Sequence, residues 1–573
     1  MRTPLAIGLL LTTACGTTSG ADGPGAPAGA SGGASDPQSP GPGGGGVSFG
    51  GAQDIGELRN ILDNGGIPGP DTFDANGFFN EHYNAPPPVA CGQVLCLVSG
   101  MSVGRDWVTG AHQATLQLSI NTASAPAPQR LPMNLVVVVD HSGSMASDGR
   151  LDKVKIGLHT MIDQLHDDDR LAVVEFDDQV KVDAALGATL DRPALHAIID
   201  GLVPGGSTDI FDGLDQGFRL LGDAPPSERQ NRVILLSDGN ATAGDVSQAD
   251  ILGMAQRRAV LGIGLTTIGV GDDFDVALMR GLAEQGAGNF YFLEDPAAAT
   301  EVFTEELDFF MQPIALDIQI GATAGPGYQF VEAVGSNLWA GEPRRGAMQI
   351  PAVFASSRTT QSGEQGRRGG GSMIFIQINP VAGTTGRVAD LTLSFRAPDS
   401  TERISQAVSL DYARDPAETP AVPYLSAPEM SERFAMYNMF LGIRAATVAP
   451  TPACAAAALR ATRAAGTAWN QDHQDPDLAA DLVLVDQYLA NLRAFGAVDD
   501  AATVATCRTQ TTPPVLPPVG SPPTDPPTDP PIDPPARSDR RASLLSCSTG
   551  GAAGGLPIAL AALAALGSRR RRR

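Results

Sequence analysis

From Leu131 to Met311 the chain alternates continuous apolar runs with amphipathic ones, and this limits the fold more than any other feature. The apolar runs Asn134–Asp140, Leu171–Asp177, Val233–Ser237, Leu265–Val270 and Asn289–Leu293 have the character of strands buried on both faces. Between the first two, Leu151, Val154, Leu158, Met161, Ile162 and Leu165 fall on one helical face. Gln179 to Leu186 reads as a short antiparallel edge strand hairpinned to the second run. Strands and helices in this order predict a doubly wound, mostly parallel sheet covered on both sides.

The whole chain is predicted to be multidomain α/β, with β-rich and helical regions flanking that central sheet. Its 573 residues exceed one ordinary domain, and 42% hydrophobic content is enough to build cores. Residues 16–50 are nearly all Gly, Ala, Pro, Ser and Thr and read as a flexible tether. Residues 51–130 form an N-terminal accessory region, in which Ala114 to Ile120 alternates like a half-buried strand. The central sheet occupies 131–311. Residues 312–415 carry the alternating runs Ile314–Ile320, Met373–Ile378 and Val388–Phe395 and read as β-sandwich-like. Residues 424–508 are Ala- and Leu-rich with helical periodicity. The Pro-rich segment 509–540 reads as a stalk, its repeat extending ~70 Å as polyproline II. The formal net charge of −24 argues against nucleic-acid binding through a general basic surface.

The two ends, 1–15 and 541–573, read as processing signals. Arg2, the apolar run Leu5–Leu11 and Ala14-Cys15 make a secretory signal. Cys15 after Ala14 resembles the lipobox of bacterial lipoproteins, which implies lipidation at Cys15; the alternative is a plain signal peptide. Cys547, the apolar run Leu556–Leu566 and Arg569–Arg573 resemble the carboxy-terminal sorting tags of myxobacterial surface proteins. That resemblance implies cleavage near Cys547. The alternative is a weak stop-transfer helix, although eleven helical residues rise only ~16 Å. Either reading predicts export to the outer membrane or cell surface. In an oxidising compartment the remaining cysteines pair naturally as Cys91–Cys96 and Cys454–Cys507. The seven histidines are scattered, so no zinc site is expected.

The chemistry concentrates at the ends of the predicted strands. Asn134–Asp140 ends in Asp140-His141-Ser142-Gly143-Ser144. Gly205-Gly206-Ser207-Thr208-Asp209 precedes a helix, and Ser237-Asp238-Gly239 closes a later strand. Open α/β sheets bind ligands at the carboxyl ends of their strands. Hydroxyls and carboxylates without Cys or His suit a hard cation, Mg²⁺ or Mn²⁺.

These residues resemble a von Willebrand factor type A domain with a complete metal-ion-dependent adhesion site. The resemblance implies that Ser142, Ser144 and Thr208 bind the metal directly, with Ser207 a neighbouring rival to Thr208. Asp140 and Asp238 would hold it through water, leaving one position open for an acidic side chain. Asp54-Ile55 through Pro86-Pro87-Pro88 is similar to the N-terminal segment of a bacterial subgroup of these proteins. The expected function is that of an exported surface protein binding a protein partner that offers Asp or Glu, with membrane association through the lipid anchor or the C-terminal tag. Two alternatives stand beside it: an assembly factor of an envelope complex, or a metal-assisted hydrolase with His141 as base. No Gly-x-Ser-x-Gly, His-Glu-x-x-His or P-loop motif supports the latter, and no enzymatic activity is expected. Family members shift their last helix on ligand binding, which here corresponds to about Pro296–Met311.

Overall fold

The computed structural model describes residues 45–82, 91–122, 131–187, 191–226, 228–271, 274–293, 303, 313–356, 373–398, 400–496 and 506–507. Cys15, Cys547, residues 16–44 of the tether, the stalk and the segment Pro296–Met311, apart from Phe303, lie outside these residues. The end of the predicted tether is instead folded, because Gly45–Ser48 pairs as a strand with the β-rich region. The first part supplies strands β1 (Gly45–Ser48) and β2 (Gly51–Ala52), then helices α1 (Gly56–Asp63) and α2 (Ala75–Glu81). Strands β3 (Leu95–Arg105) and β4 (His112–Thr122) follow as an antiparallel pair.

Eleven alternating elements come next. They are β5 (Met133–Asp140), α3 (Arg150–Gln164), β6 (Arg170–Phe176), β7 (Val180–Ala184), α4 (Arg192–Gly201), α5 (Ile210–Leu221), β8 (Gln230–Ser237), α6 (Gln248–Ala259), β9 (Ile263–Val270), α7 (Val276–Gln285) and β10 (Asn289–Leu293). The sheet order is β2-β10-β9-β8-β5-β6-β7, and every pair is parallel except the edge hairpin β6/β7. β5 lies inside the sheet, between β8 and β6, and every residue of it is buried. Leu135, Val137 and Val139 face the core built with α3 and α4, while Val136 and Val138 face α5 and α6. An unbroken apolar strand is the expected consequence of two covered faces. The six residues predicted for the buried face of α3 and its exit, Leu151 to Leu165, all lie in that first core.

The remaining strands are β11 (Pro313–Ala324), β12 (Tyr328–Val334), β13 (Ala340–Glu342), β14 (Arg345–Ser356), β15 (Met373–Pro380), β16 (Gly386–Arg396), β17 (Arg403–Tyr412) and β18 (Tyr424–Leu425). They combine with β1, β3 and β4 into an 11-stranded sheet whose wings share one apolar core. β4 pairs with β15 from Ala114 opposite Ile378 to Ser119 opposite Met373. The accessory and β-rich regions are therefore one folded body, and the parallel-sheet domain is inserted between β4 and β11. The boundaries read near 131 and 312 mark that insertion, not separate neighbours in a row. β2, earlier in the chain, adds a parallel edge strand to β10 and so ties the N-terminal part to the inserted domain.

Helices α8 (Met430–Thr447), α9 (Pro452–His473) and α10 (Pro476–Ala494) pack with α1 and α2 around Phe73, Phe78, Phe79 and Phe440. Both expected disulfides are present, with Cα separations of 5.8 Å for Cys91–Cys96 and 5.6 Å for Cys454–Cys507. Among the described residues no helix is long and apolar enough to cross a membrane.

One buried ion pair ties the N-terminal segment to the last helix. His82 Nε2 lies 2.8 Å from Asp481 Oδ2, and Nδ1 lies 2.6 Å from the Phe78 carbonyl. Burial opposes the charged ring, but Asp481, Asp477 and that carbonyl outweigh it and push the pKa up to about 9. Because the folded value lies above the unfolded one, the stabilisation is complete below about pH 6.5 and is lost as pH rises through 9. Urea unfolding of the wild type and of His82→Gln between pH 6 and 10 measures this. The stability difference between them should shrink by roughly 2–3 kcal/mol across that range; a constant difference contradicts the pairing.

Candidate metal centre

β5 and β8 are adjacent although three strands apart in chain order, so their carboxyl ends open at the point where the sheet reverses direction. Asp140 ends β5 and Asp238 follows β8, which places two carboxylates side by side at that opening. Both are fully buried. Asp140 Oδ1 accepts from the Ser142 backbone N–H at 2.8 Å, and Oδ2 accepts from the Ser237 hydroxyl at 2.5 Å. The Ser237 oxygen in turn accepts from Gly239 N–H at 2.8 Å. Burial pushes the Asp140 carboxyl up to about 6; the Ser142 and Ser237 hydrogen bonds pull it down, and neighbouring Asp238 raises it.

Asp238 meets a different partner. Its Oδ2 accepts from Arg150 Nη1 at 3.2 Å, and its Oδ1 is buried with no hydrogen-bond partner among the described residues. Arg150, itself 5% exposed, opens α3. The guanidinium lies over Gly271, whose φ is +89°; a Cβ there would come within 2.3 Å of Arg150 Nε. Arg150 thus meets one oxygen of Asp238, and the other is a buried acceptor without a hydrogen-bond partner among the described residues. Such an atom is costly unless a cation or water meets it.

The hydroxyls arrive on loops zipped to each other. Ser142 and Ser144 present their oxygens 3.1 Å apart. Gly205 N–H donates to the His141 carbonyl at 2.7 Å, and Gly143 N–H donates to the Gly206 carbonyl at 3.1 Å. Gly206 has φ +71°, and a Cβ on it would strike Asp177 and Asp178. Thr208 is buried and its N–H donates to the Thr242 hydroxyl at 3.0 Å, while Ser207 is exposed. Asp209 N–H donates to the Asp177 carbonyl, and its side chain caps α5. His141 turns away, Nδ1 donating to the Val203 carbonyl at 2.9 Å.

Asp140, Ser142, Ser144 and Asp238 and the loop that carries Thr208 therefore meet at one rim at the carboxyl ends of β5 and β8, and the donors it offers are oxygens. It suits a hard divalent cation. Among the described residues no three His, Cys, Asp or Glu side chains converge as a metal-ligating group; hydroxyls must complete any such site. Sequence reasoning missed Arg150, Ser237 and Thr242. Ser237 stood within the Ser-Asp-Gly motif, and its register beside Asp140 was the available signal. Arg150 carried none, because its partner lies 88 residues away.

Residues 134–305 match the family model of the von Willebrand factor type A domain. The chain contains such a domain. Over 194 residues it is 30% identical to the uncharacterized protein sll0103 of Synechocystis sp., covering 34% of this chain and 45% of that one. It is 27% identical to the uncharacterized protein YfbK of Escherichia coli, covering 34% of each. The chain thus spans less than half the length of these curated relatives. A solved von Willebrand factor type A protein from Catenulispora acidiphila covers 70% of this chain and 90% of its own, with 16% identity and TM-score 0.44.

Removing one partner from a buried ion pair strands the other charge. Arg150→Met is expected to lower the unfolding free energy by roughly 3–5 kcal/mol in urea titrations with EDTA present. Adding Asp238→Asn should restore part of the loss. Additive losses in the double variant would show that the two side chains do not interact.

Proposed function

We propose that the chain recognises a protein partner through a divalent cation held at this rim. As the family resemblance implies, Ser142, Ser144 and Thr208 would hold the cation, with Asp140 and Asp238 supporting it. When bound, Mg²⁺ or Mn²⁺ supplies an electrophilic centre for a carboxylate oxygen of the partner. The observation that carries this reading is the buried, unfilled Oδ1 of Asp238 beside the buried Asp140 carboxyl, next to a pair of hydroxyls. The burial of Thr208 and exposure of Ser207 support Thr208 as the third hydroxyl.

The chain's own residues do the positioning. Ser237 and the Ser142 N–H fix both oxygens of Asp140. Arg150 neutralises one carboxylate and leaves the second to balance a cation. With few carboxylates present, positive charge is retained for an incoming acidic group. Export and surface display rest on the sequence of the two ends around Cys15 and Cys547, and belong to the same proposal. A hydrolytic role would require a base near the cation, and His141 already donates one ring nitrogen to a backbone carbonyl.

A pull-down from surface extracts tests the reading, using the chain with Mg²⁺, with EDTA, and as Asp140→Ala. A partner retained only by wild type with Mg²⁺ is the expected result. Equal retention in all three conditions would place binding on the flanking surfaces and overturn it.

A further inference from the structure

The histidines scattered through the sequence do not all stay apart. His159 on α3 and His196 on α4 stack with ring centroids 4.9 Å apart and planes 25° from parallel. Their Nδ1 atoms face each other at 2.6 Å. Each ring's other nitrogen meets a carboxylate on the opposite helix. His159 Nε2 lies 3.0 Å from Asp200 Oδ1, and His196 Nε2 lies 3.1 Å from Asp163 Oδ1. His159 and Asp163 are one turn apart on α3, as are His196 and Asp200 on α4, so the four side chains close a crossed ring.

The tautomers follow from the partners. An ionised carboxylate only accepts, so each Nε2 must carry its hydrogen. In the neutral rings both Nδ1 atoms then present lone pairs to each other at 2.6 Å. Two acceptors at that distance repel unless a proton shared as an N–H···N hydrogen bond, or a metal cation, sits between them. Carboxylates on the outer N–H groups orient imidazoles and raise their basicity in metal sites generally. Zn–N bonds run ~2.0–2.1 Å, so at a tetrahedral N–Zn–N angle the two nitrogens sit roughly 3.3 Å apart and must part by about 0.7 Å, with a small turn of the rings, to admit an ion.

We propose that His159 and His196 form a second cation site, distinct from the oxygen-lined rim, for a borderline transition-metal ion of the Zn²⁺ or Cu²⁺ class. Imidazole nitrogens select these ions, whereas hydroxyls and carboxylates select Mg²⁺ or Mn²⁺. Both rings are about 30% exposed, which leaves water to complete the coordination. α3 begins just after the Asp140–Ser144 loop and α4 leads towards Thr208. An ion at the pair therefore braces the two helices that flank the loops carrying the rim's hydroxyls.

The test is equilibrium dialysis of the full chain against Zn²⁺ in excess Mg²⁺, with bound zinc quantified. Wild type should bind one Zn²⁺ that either His159→Ala or His196→Ala weakens by at least tenfold. Asp163→Asn and Asp200→Asn should each weaken it about 10-fold or more. Cu²⁺ spin resonance should show two imidazole nitrogens in wild type and at most one in each His variant. Asp140→Ala should leave this zinc unchanged, which separates the site from the rim. Zinc binding unaltered by both His substitutions, or abolished by Asp140→Ala, would overturn the proposal. Metal-free circular dichroism of the variants confirms that each remains folded.

Discussion

Two buried carboxylates at the ends of adjacent strands set the terms for everything around them. Asp140 and Asp238 have no exposure to water, so their charges must be met from within the protein. Ser237 and a backbone N–H meet Asp140, and Arg150 meets one oxygen of Asp238. The neighbouring architecture serves this arrangement. Gly271 leaves room for the Arg150 guanidinium, and Gly206 lets the Thr208 loop close against the Asp140–Ser144 loop. The remaining oxygen of Asp238, buried without a hydrogen-bond partner among the described residues, is the one the proposed cation would meet.

The domain that carries this rim is anchored on several sides. β2 extends its sheet, and Arg280 on α7 forms an ion pair with Asp74 at 2.9 Å. Asn337, in the turn after β12, donates to Glu284 at the end of α7 at 2.9 Å. Burial drives the Glu284 carboxyl upward, and nearby Asp74 adds to it. Around these contacts lies a cavity of about 380 Å³ between α7, the Pro70–Asn76 segment, the turn after β12 and α8. Polar contacts across this junction fix the inserted domain against the surrounding sheet and helices.

Local patterns made much of this legible. The continuous apolar runs became β5, β6, β8, β9 and β10, and the antiparallel edge strand read at Gln179–Leu186 became β7. Asp140, Ser142, Ser144 and Asp238 were visible because each motif sat at a predicted strand end. What was hidden depended on long-range register. Nothing local in Ala114–Ile120 announces a partner at Met373–Ile378, because alternation specifies a face and not a neighbour. Arg150, His82 and the pair His159–His196 were equally silent. Each acquires its meaning from a residue on another element, 37 to 399 positions away.

The most direct measurement is a Mn²⁺ titration of the full chain followed by electron spin resonance. One bound Mn²⁺ that Mg²⁺ displaces is expected, with Asp140→Asn weakening the affinity ~10–100-fold. Mn²⁺ bound with equal affinity by Asp140→Asn, Ser144→Ala and wild type would contradict it.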